Sequence, residues 1–126
     1  MKTKREIAEK YIALLSTGKV EEIISLFTFD AIVSSPIYGE KKASLFYKEL
    51  IDDTTSSALK LKGIFEDSNL NSIALYFEYT WTLISGKIVV FDVVDVIVFD
   101  DEHKIVSLKI IYDTVVSRDL VNQIKK

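Results

Sequence analysis

Residues 73–84, IALYFEYTWTLI, and residues 87–99, KIVVFDVVDVIVF, decide the fold, because together they form the longest strand-like stretch of the chain. Both runs are rich in β-branched and aromatic residues, and Ser85-Gly86 lies between them. Glycine adopts the positive φ of a tight hairpin turn at no steric cost. The stretch therefore predicts a long antiparallel hairpin around which the rest of the chain is arranged.

The pairing of this hairpin decides which side chains share a face. A two-residue turn would pair Glu78 with Val93 and Tyr76 with Asp95. Because side chains alternate across a strand, one predicted face combines apolar residues with two carboxylates near a tyrosine, and its members are Tyr76, Glu78, Thr80, Thr82, Val89, Phe91, Val93, Asp95 and Ile97. The other face is almost wholly apolar, and its members are Leu75, Phe77, Tyr79, Trp81, Leu83, Ile88, Val90, Asp92, Val94 and Val96. A slip of one residue would exchange the faces of one strand.

Length and composition favour one globular domain. The 126 residues correspond to a single domain, 1–126, and a hydrophobic fraction of 48% favours a compact core over disorder. A net charge of −3 without a long basic run argues against nucleic-acid binding. The chain has no cysteine, so neither disulfides nor thiolate metal sites are expected. The charged N-terminus, MKTKREIAEK, lacks an apolar signal-peptide core, and no stretch is long enough to span a membrane, so we expect a soluble cytoplasmic protein.

The remaining sequence shows the periodicities of three helices and several strands. Apolar positions repeat at helical spacing in three early segments. Thr3 and Glu6 have the spacing of a capping box, and Gly18 stands where the first helix should end. The predicted helices span residues 3–16, 20–28 and 41–52, with a further short helix in the tail, SRDLVNQIKK. The predicted strands span residues 29–35, 58–66, 72–84, 87–100 and 104–114, and residues 52–57 are predicted as a loop.

This order of elements predicts an α+β fold. Three N-terminal helices would pack on the concave face of a curved antiparallel or mixed sheet. A hairpin that is apolar on both faces needs a second cover, and we expect a homodimer through the outer sheet face to provide it. The residues expected at that interface are Phe77, Tyr79, Trp81, Val94 and Val96. The alternative is that the C-terminal segment folds back over part of this face.

Two stretches resemble the nuclear transport factor 2-like superfamily, in the branch of ketosteroid isomerases and SnoaL-like polyketide cyclases. The run KYIALLSTGKVEEIISLFTFDAIVSSPIYGE, residues 10–40, is similar to the opening of these proteins. The strand with Asp95, the turn DDEH and the run KIVSLKIIYD, residues 104–113, are similar to their ending. The resemblance implies a cone-shaped, cystatin-like α+β barrel, usually dimeric, with an interior pocket. It leaves the reaction open, because the superfamily spans isomerases, cyclases, dehydratases, binding proteins and assembly modules.

The resemblance also assigns roles to individual positions. Tyr11, in the phrase KYIALLSTGK, corresponds to the tyrosine that donates a hydrogen bond to the substrate oxyanion in ketosteroid isomerases. Asp95 corresponds to their second donor, an aspartic acid kept neutral by an apolar site. The catalytic base of those enzymes is an aspartate before a proline, and here Ser35 precedes Pro36. Serine does not accept a proton at neutral pH, so the resemblance does not carry over their base.

Residue chemistry adds two candidates of its own. Asp95 lies in an apolar strand, and desolvation raises the pKa of such a carboxyl. It is either a hydrogen-bond donor or general acid, or a structural carboxyl bonded to Tyr11, Tyr76 or Tyr112. Glu78 shares the predicted face of Asp95 and is the candidate that would replace the missing base, because two close carboxylates split their pKa values. The alternative is that Glu78 reaches the sheet rim or a neighbouring lysine.

The sequence therefore predicts a pocket for a small, largely apolar organic molecule, and leaves open whether the protein is an enzyme. If it is, we expect cofactor-free isomerisation, cyclisation, dehydration or hydrolysis, with Asp95 and Tyr11 as oxyanion donors and Glu78 as base. The alternative is a non-catalytic ligand carrier or dimeric association module, with a closed pocket and Asp95 bonded within the protein. Neither a metal nor a cofactor is expected. The expected ligand-binding residues are Leu15, Val33, Ser35, Phe46, Tyr76, Phe91, Val93, Ile97, Leu108, Ile110 and Tyr112. Leu14 and Leu50 are further expected walls of the pocket.

Overall fold

The structure is a computed structural model that describes residues 2–125, so the last residue of the predicted tail helix lies outside the described part. Four helices and six strands alternate along the chain. In chain order they are α1 (Lys4–Thr17), α2 (Val20–Ile24), β1 (Phe27–Ser35), β2 (Gly39–Lys42), α3 (Ala43–Asp52), β3 (Thr54–Asp67), β4 (Ser72–Leu83), β5 (Ile88–Phe99), β6 (Ile105–Ile111) and α4 (Val115–Lys125). None of the described helices is long and apolar enough to cross a membrane.

The first helix has the ends that its sequence predicts. The backbone N–H of Glu6 donates to Thr3 Oγ1 at 3.1 Å, and the Glu6 carboxylate accepts from the Thr3 N–H at 3.0 Å. This reciprocal pair is the predicted capping box, and it satisfies two backbone donors that the first turn leaves free. Gly18 ends the helix with φ of 70°, a conformation that glycine adopts without strain. The helix therefore presents a fixed face, including Tyr11 and Leu15, to the core.

The strands form one mixed sheet in the order β2-β1-β6-β5-β4-β3. The β1–β6 pair is parallel, and the other neighbours are antiparallel. The 14-residue strand β3 shifts register twice against β4, and such bulges bend a sheet and increase its twist. Helices α1 and α3 bury apolar faces against the concave side of the sheet. The α+β cone predicted from the sequence is confirmed.

The central hairpin has a different register from the predicted one. The N–H of Leu83 donates to the carbonyl of Lys87 at 2.9 Å, so the loop contains three residues, 84–86, instead of two. Gly86 adopts φ of 89°, as the last residue of a three-residue hairpin loop often does. The extra residue moves every cross-strand pair by one position. Glu78 therefore lies opposite Asp92, and Leu75 lies opposite Asp95.

This shift exchanges the two faces of β4 and corrects several expectations. Glu78 and Tyr76 lie on the outer, convex face and not in the interior. The predicted interface residues Phe77, Tyr79 and Trp81 are buried inside the cone, with exposed fractions of at most 7%. They are therefore unable to contact a second copy across the outer face. The prediction for β5 agrees with the structure. Its inward side chains are Phe91, Val93, Asp95 and Ile97, and Val94 and Val96 lie on the outer face.

Two strand segments differ from the prediction. The polar run Gly39–Lys42 forms β2, which pairs with the end of β1, so Lys41 and Lys42 lie in a strand and not in the predicted helix 41–52. Strand β3 already begins at Thr54, within the segment predicted as a loop. Both are edge strands, where half of the side chains face solvent and polar residues cost little. Their backbone hydrogen bonds to the apolar strands β1 and β4, and not their own apolar pattern, hold them in the sheet.

Candidate functional site

A cavity lies inside the cone, between the concave face of the sheet and helices α1 and α3. The space open to the centres of water-sized molecules is about 40 Å³, which is room for a few water molecules. Its walls are predominantly aromatic and aliphatic, as in most small-molecule sites. The lining residues are Tyr11, Leu15, Ser35, Tyr38, Phe46, Leu50, Phe77, Tyr79, Trp81, Phe91, Val93, Asp95, Ile110 and Tyr112.

Asp95 is the one carboxyl among the described lining residues, and none of them carries an amine, guanidinium or imidazole group. Strand β5 places it on the inner face, between Leu75 of β4 and Ile110 of β6. Its residue is 1% exposed, and Oδ1 has no hydrogen-bond partner in the described part of the chain. Burial raises the pKa of the carboxyl well above its ordinary value. The protonated acid, a hydrogen-bond donor, is therefore the favoured form.

A second polar group in the cavity is the hydroxyl of Tyr11. It lies 2.7 Å from the hydroxyl of Tyr47 on α3, and both side chains are almost completely buried. Burial raises the pKa of each phenol well above its ordinary value, so both stay protonated. Tyr11 and Asp95 both line the cavity. Two hydroxyl protons share one mutual hydrogen bond, so one proton remains to be donated elsewhere.

Three further polar groups of the lining are bonded to side chains behind the cavity wall. Their bonds join Tyr79 Oη to Ser57 Oγ at 2.6 Å, Tyr38 Oη to Asp53 Oδ2 at 2.7 Å, and Trp81 Nε1 to Thr54 Oγ1 at 2.8 Å. Burial raises the pKa of Tyr79 to about 12. These groups are already satisfied within the protein. Asp95 differs from them because its Oδ1 is buried without a partner, an arrangement that native proteins rarely keep without a reason.

One wall of the cavity is a row of stacked rings that crosses three strands. The ring centroids of Tyr79 and Phe91 are 5.5 Å apart with planes 24° from parallel, and those of Phe91 and Tyr112 are 4.6 Å apart with planes 27° from parallel. Phe91 and Asp95 are four residues apart on β5, or about 13 Å along the strand. The row therefore forms an apolar surface across the cavity wall, which ends at the half-buried Tyr112 and lies apart from the acid along β5.

The structure brings together most of the predicted site residues. The predicted residues that line the cavity are Tyr11, Leu15, Ser35, Phe46, Leu50, Phe91, Val93, Asp95, Ile110 and Tyr112. Val33, Ile97 and Leu108 are buried core residues that do not reach it, and Glu78 and Tyr76 are outside on the convex face. The lining residues absent from the predicted site are Tyr38, Phe77, Tyr79 and Trp81. A three-residue loop in the hairpin would have predicted the last three of them.

Solved structures provide the comparison with known proteins. No protein-family model matches the chain, and no curated protein matches it. An NTF2-like protein of unknown function from Cytophaga hutchinsonii superposes with a TM-score of 0.72 at 17% identity, over 96% of each chain. This chain has the nuclear transport factor 2-like fold. The predicted resemblance is thus confirmed at the level of the fold.

Other proteins with a similar structure are named for small-molecule chemistry. SalBIII, described as an epoxide hydrolase/cyclase-like enzyme in pyran ring formation of the polyether salinomycin, has a TM-score of 0.77 at 18% identity, over 87% of this chain and 90% of its own. TerC, co-crystallised with polyporic acid, has a TM-score of 0.78 at 18% identity, over 94% of this chain and 98% of its own. At such identities the likeness concerns the NTF2-like fold and not the reaction.

Proposed function

We propose that the cavity binds a small, largely apolar organic molecule through an oxygen acceptor, and that the protein catalyses a cofactor-free isomerisation or cyclisation of it. The observation that carries this proposal is the Asp95 carboxyl, which is buried in the cavity with Oδ1 unpartnered. Leaving such a group unpaired costs about 1–3 kcal/mol. A ligand oxygen that accepts the Asp95 proton would remove this cost and would be oriented by the bond.

Tyr11 is the second donor of the proposed site. Either hydroxyl of the Tyr11–Tyr47 pair is able to donate in their 2.7 Å hydrogen bond. In the proposed complex Tyr47 donates to Tyr11, which leaves the Tyr11 proton free to be donated to the ligand. An oxygen held between Asp95 and Tyr11 develops negative charge against two donors in a dry, apolar site, where such bonds are strongest. Since no cation lies among the described lining residues, a neutral ligand fits this cavity better than a carboxylate or a phosphate.

The proposed reaction uses Asp95 alone for proton transfer. Ser35 is a poor base, and Glu78 lies on the outer face, so Glu78 is unable to reach the cavity and act as the predicted base. Asp95 protonates an oxygen of the substrate, a C–O or C–C π bond rearranges, and the proton released by the substrate returns to the Asp95 carboxylate. Such a cycle has no net proton change. Isomerisation and ring closure by an internal hydroxyl satisfy this condition, and SalBIII, which is described with a role in pyran ring formation, has a similar fold.

The second candidate function is a non-catalytic ligand carrier or association module. The small volume of the cavity supports it, because about 40 Å³ does not hold a drug-sized molecule. The unpartnered Oδ1 of Asp95 counts against it, since a purely structural carboxyl should be bonded within the protein.

The binding test uses Trp81, the single tryptophan of the chain, which lines the cavity. Titration with the neutral probe 2-cyclohexenone should change Trp81 fluorescence. Asp95→Leu, which removes the donor and keeps an apolar side chain, should weaken probe binding about tenfold. Asp95→Asn keeps a donor and should bind the probe almost normally, while it abolishes turnover of any substrate found. The matched control is Asp92→Leu on the outer face. Equal affinity of wild type and Asp95→Leu would contradict the proposal.

We further propose that a second copy of the chain covers the outer sheet face, through a revised set of residues. Val94 and Val96 stay in this surface, and exposed apolar neighbours extend it. Those neighbours are Ile32, Val90 and Ile111. Val94→Lys should convert a dimer to a monomer in sedimentation velocity, with Glu66→Lys as an exposed control elsewhere. A wild-type protein that sediments as a monomer at high concentration would contradict this interface.

A further inference from the structure

The C-terminal helix α4 touches the rim of the cavity at several points. Its first turn, 115–117, lies beside Val89–Phe91 of β5. In its middle, Arg118 donates to the carbonyl of Pro36 at 2.7 Å, next to the lining residue Ser35. At its end, Lys125 contacts Asp53 at 3.0 Å, and the same carboxylate accepts from the lining residue Tyr38. A helix of 11 residues is about 16 Å long, so α4 runs along the rim of the cavity over about that length.

The attachment of α4 differs from that of every strand. Within residues 2–125, no backbone hydrogen bond joins it to another element, and its one connection to the sheet is the segment 112–114. Side chains alone hold it in place. Val121 is buried, Leu120 and Ile124 pack against the core, and Lys125 forms ion pairs with Asp53 and Glu49. Elements with few backbone ties open locally at lower free energy than strands inside a sheet.

One buried side chain of α4, that of Ser117, is in an unfavourable environment. Ser117 is 1% exposed, and its Oγ has no hydrogen-bond partner in the described part of the chain. A buried hydroxyl without a partner loses its hydration and gains nothing in return, and water satisfies it again once the helix lifts. The docked position of α4 is thus held by Lys125, by the hydrogen bond from Arg118 to the Pro36 carbonyl and by the apolar contacts, and it is opposed by Ser117.

We propose that α4 is a lid over the cavity, with segment 112–114 as its hinge and Lys125, bound to Asp53 and Glu49, as its latch. The cavity has room for a few water molecules, so the lid proposal has a larger ligand enter when α4 lifts from the rim. The Asp53 carboxylate connects the latch to the cavity wall, because it binds Lys125 through Oδ1 and Tyr38 through Oδ2. A ligand that displaces Tyr38 would therefore loosen the latch. This lid rests on the proposed function only in taking the cavity as a binding site.

The test measures lid opening without any ligand, so its failure is distinct from failure of the proposed function. Trp81 is 2% exposed, and the neutral quencher acrylamide reaches it only when the cavity opens. Lys125→Ala should raise the Stern–Volmer constant about threefold, because the latch is lost while the core is intact. Ser117→Ala should lower it, because the unfavourable hydroxyl is removed. Lys48→Ala, an exposed lysine on α3, is the control and should behave as wild type.

The two variants with opposite expected signs separate a lid from general loosening. A change in folding should appear in the melting temperature measured by circular dichroism, and we expect Lys125→Ala to melt within a few degrees of wild type. If Lys125→Ala unfolds, the lid is tested by Ser117→Ala alone, in which we expect lowered quenching of Trp81. Unchanged quenching in Lys125→Ala, an equal rise in Lys48→Ala, or unchanged quenching in Ser117→Ala would overturn the lid.

Discussion

Asp95 of β5 lies directly opposite Leu75 of β4, and both side chains are buried in the cone. A carboxyl is thus paired with an aliphatic side chain and not with a cation or a donor. Desolvation alone accounts for its raised pKa. The acid is kept neutral by its position in the sheet, so its protonation should be coupled to the stability of the whole fold.

The first prediction concerns the pH dependence of stability. The folded-state pKa of Asp95 lies above the unfolded value, so the folded state holds the proton more tightly. The free energy of unfolding is then highest below the unfolded pKa and falls as pH rises, by about 1.4 kcal/mol per unit, until pH passes the folded pKa. Asp95→Asn removes this loss and should be more stable than wild type at pH 8, with a smaller difference at pH 4. Urea unfolding at both pH values measures it.

Asp92→Asn should show no such trend, and a parallel trend in both variants would contradict the assignment to Asp95.

The second prediction concerns the hydroxyl pair of Tyr11 and Tyr47. Tyr47→Phe removes one partner of a buried hydrogen bond and leaves the ring packing intact. The free energy of unfolding should fall by about 1–3 kcal/mol, because the Tyr11 hydroxyl loses its partner in the core. Tyr76→Phe, on the outer face, is the matched control and should change stability by less than about 0.5 kcal/mol. If the two variants unfold at the same urea concentration, the hydrogen bond between Tyr11 and Tyr47 contributes nothing to the stability of the protein.

The third prediction concerns the turn that sets the register. Gly86 adopts φ of 89°, which side chains other than glycine adopt only with strain. Gly86→Ala should destabilise the protein by about 1 kcal/mol, and Gly86→Asn by less, because asparagine tolerates this conformation better. No atom lies within 4 Å of the position that a Cβ would occupy, so a clash does not contribute. Thermal melting of the two variants gives the order, and equal loss in both would argue against backbone strain as the cause.

The fourth prediction separates the two acids of the hairpin. Glu78 lies on the outer face between Asp92 of β5 and Lys60 of β3, so Glu78→Gln removes one like-charge pair and one opposite-charge pair and touches nothing in the cavity. It should leave probe-induced changes in Trp81 fluorescence as they are, and it should change the free energy of unfolding by less than about 0.5 kcal/mol because the two pair energies oppose each other. A loss of probe binding in this variant would place Glu78 in the site after all.

The sequence was sufficient for the class of fold and for part of the site. Capping at Thr3 and Gly18 and the alternation within β5 are local features, so each was readable from its own segment. The facing of β4 relative to β5 is not local, because it depends on whether the loop has two residues or three. Ser85-Gly86 is compatible with both lengths, and only the complete sheet selects one. The inward position of Asp95 is therefore predictable from the sequence, whereas the face on which Trp81 lies is not.

The missing hydrogen-bond partner of Asp95 is a feature that sequence patterns do not predict. An aspartate in an apolar strand indicates burial, but the absence of a partner for Oδ1 depends on where Tyr11, Tyr79 and Tyr112 direct their hydroxyls. The bond between Tyr11 and Tyr47 joins residues 36 positions apart. Such contacts depend on the docking of α1 and α3, which no single segment of the sequence specifies.

The odd number of residues in loop 84–86 has a consequence for how this protein can change. Deleting one codon there would favour the two-residue turn and would rotate β4 so that its charged and hydroxyl-bearing side chains entered the interior. Point substitution alters one wall position at a time, whereas a single length change would replace an entire wall. The length of one short turn is therefore the most economical route by which evolution or an engineer could give this scaffold a new interior.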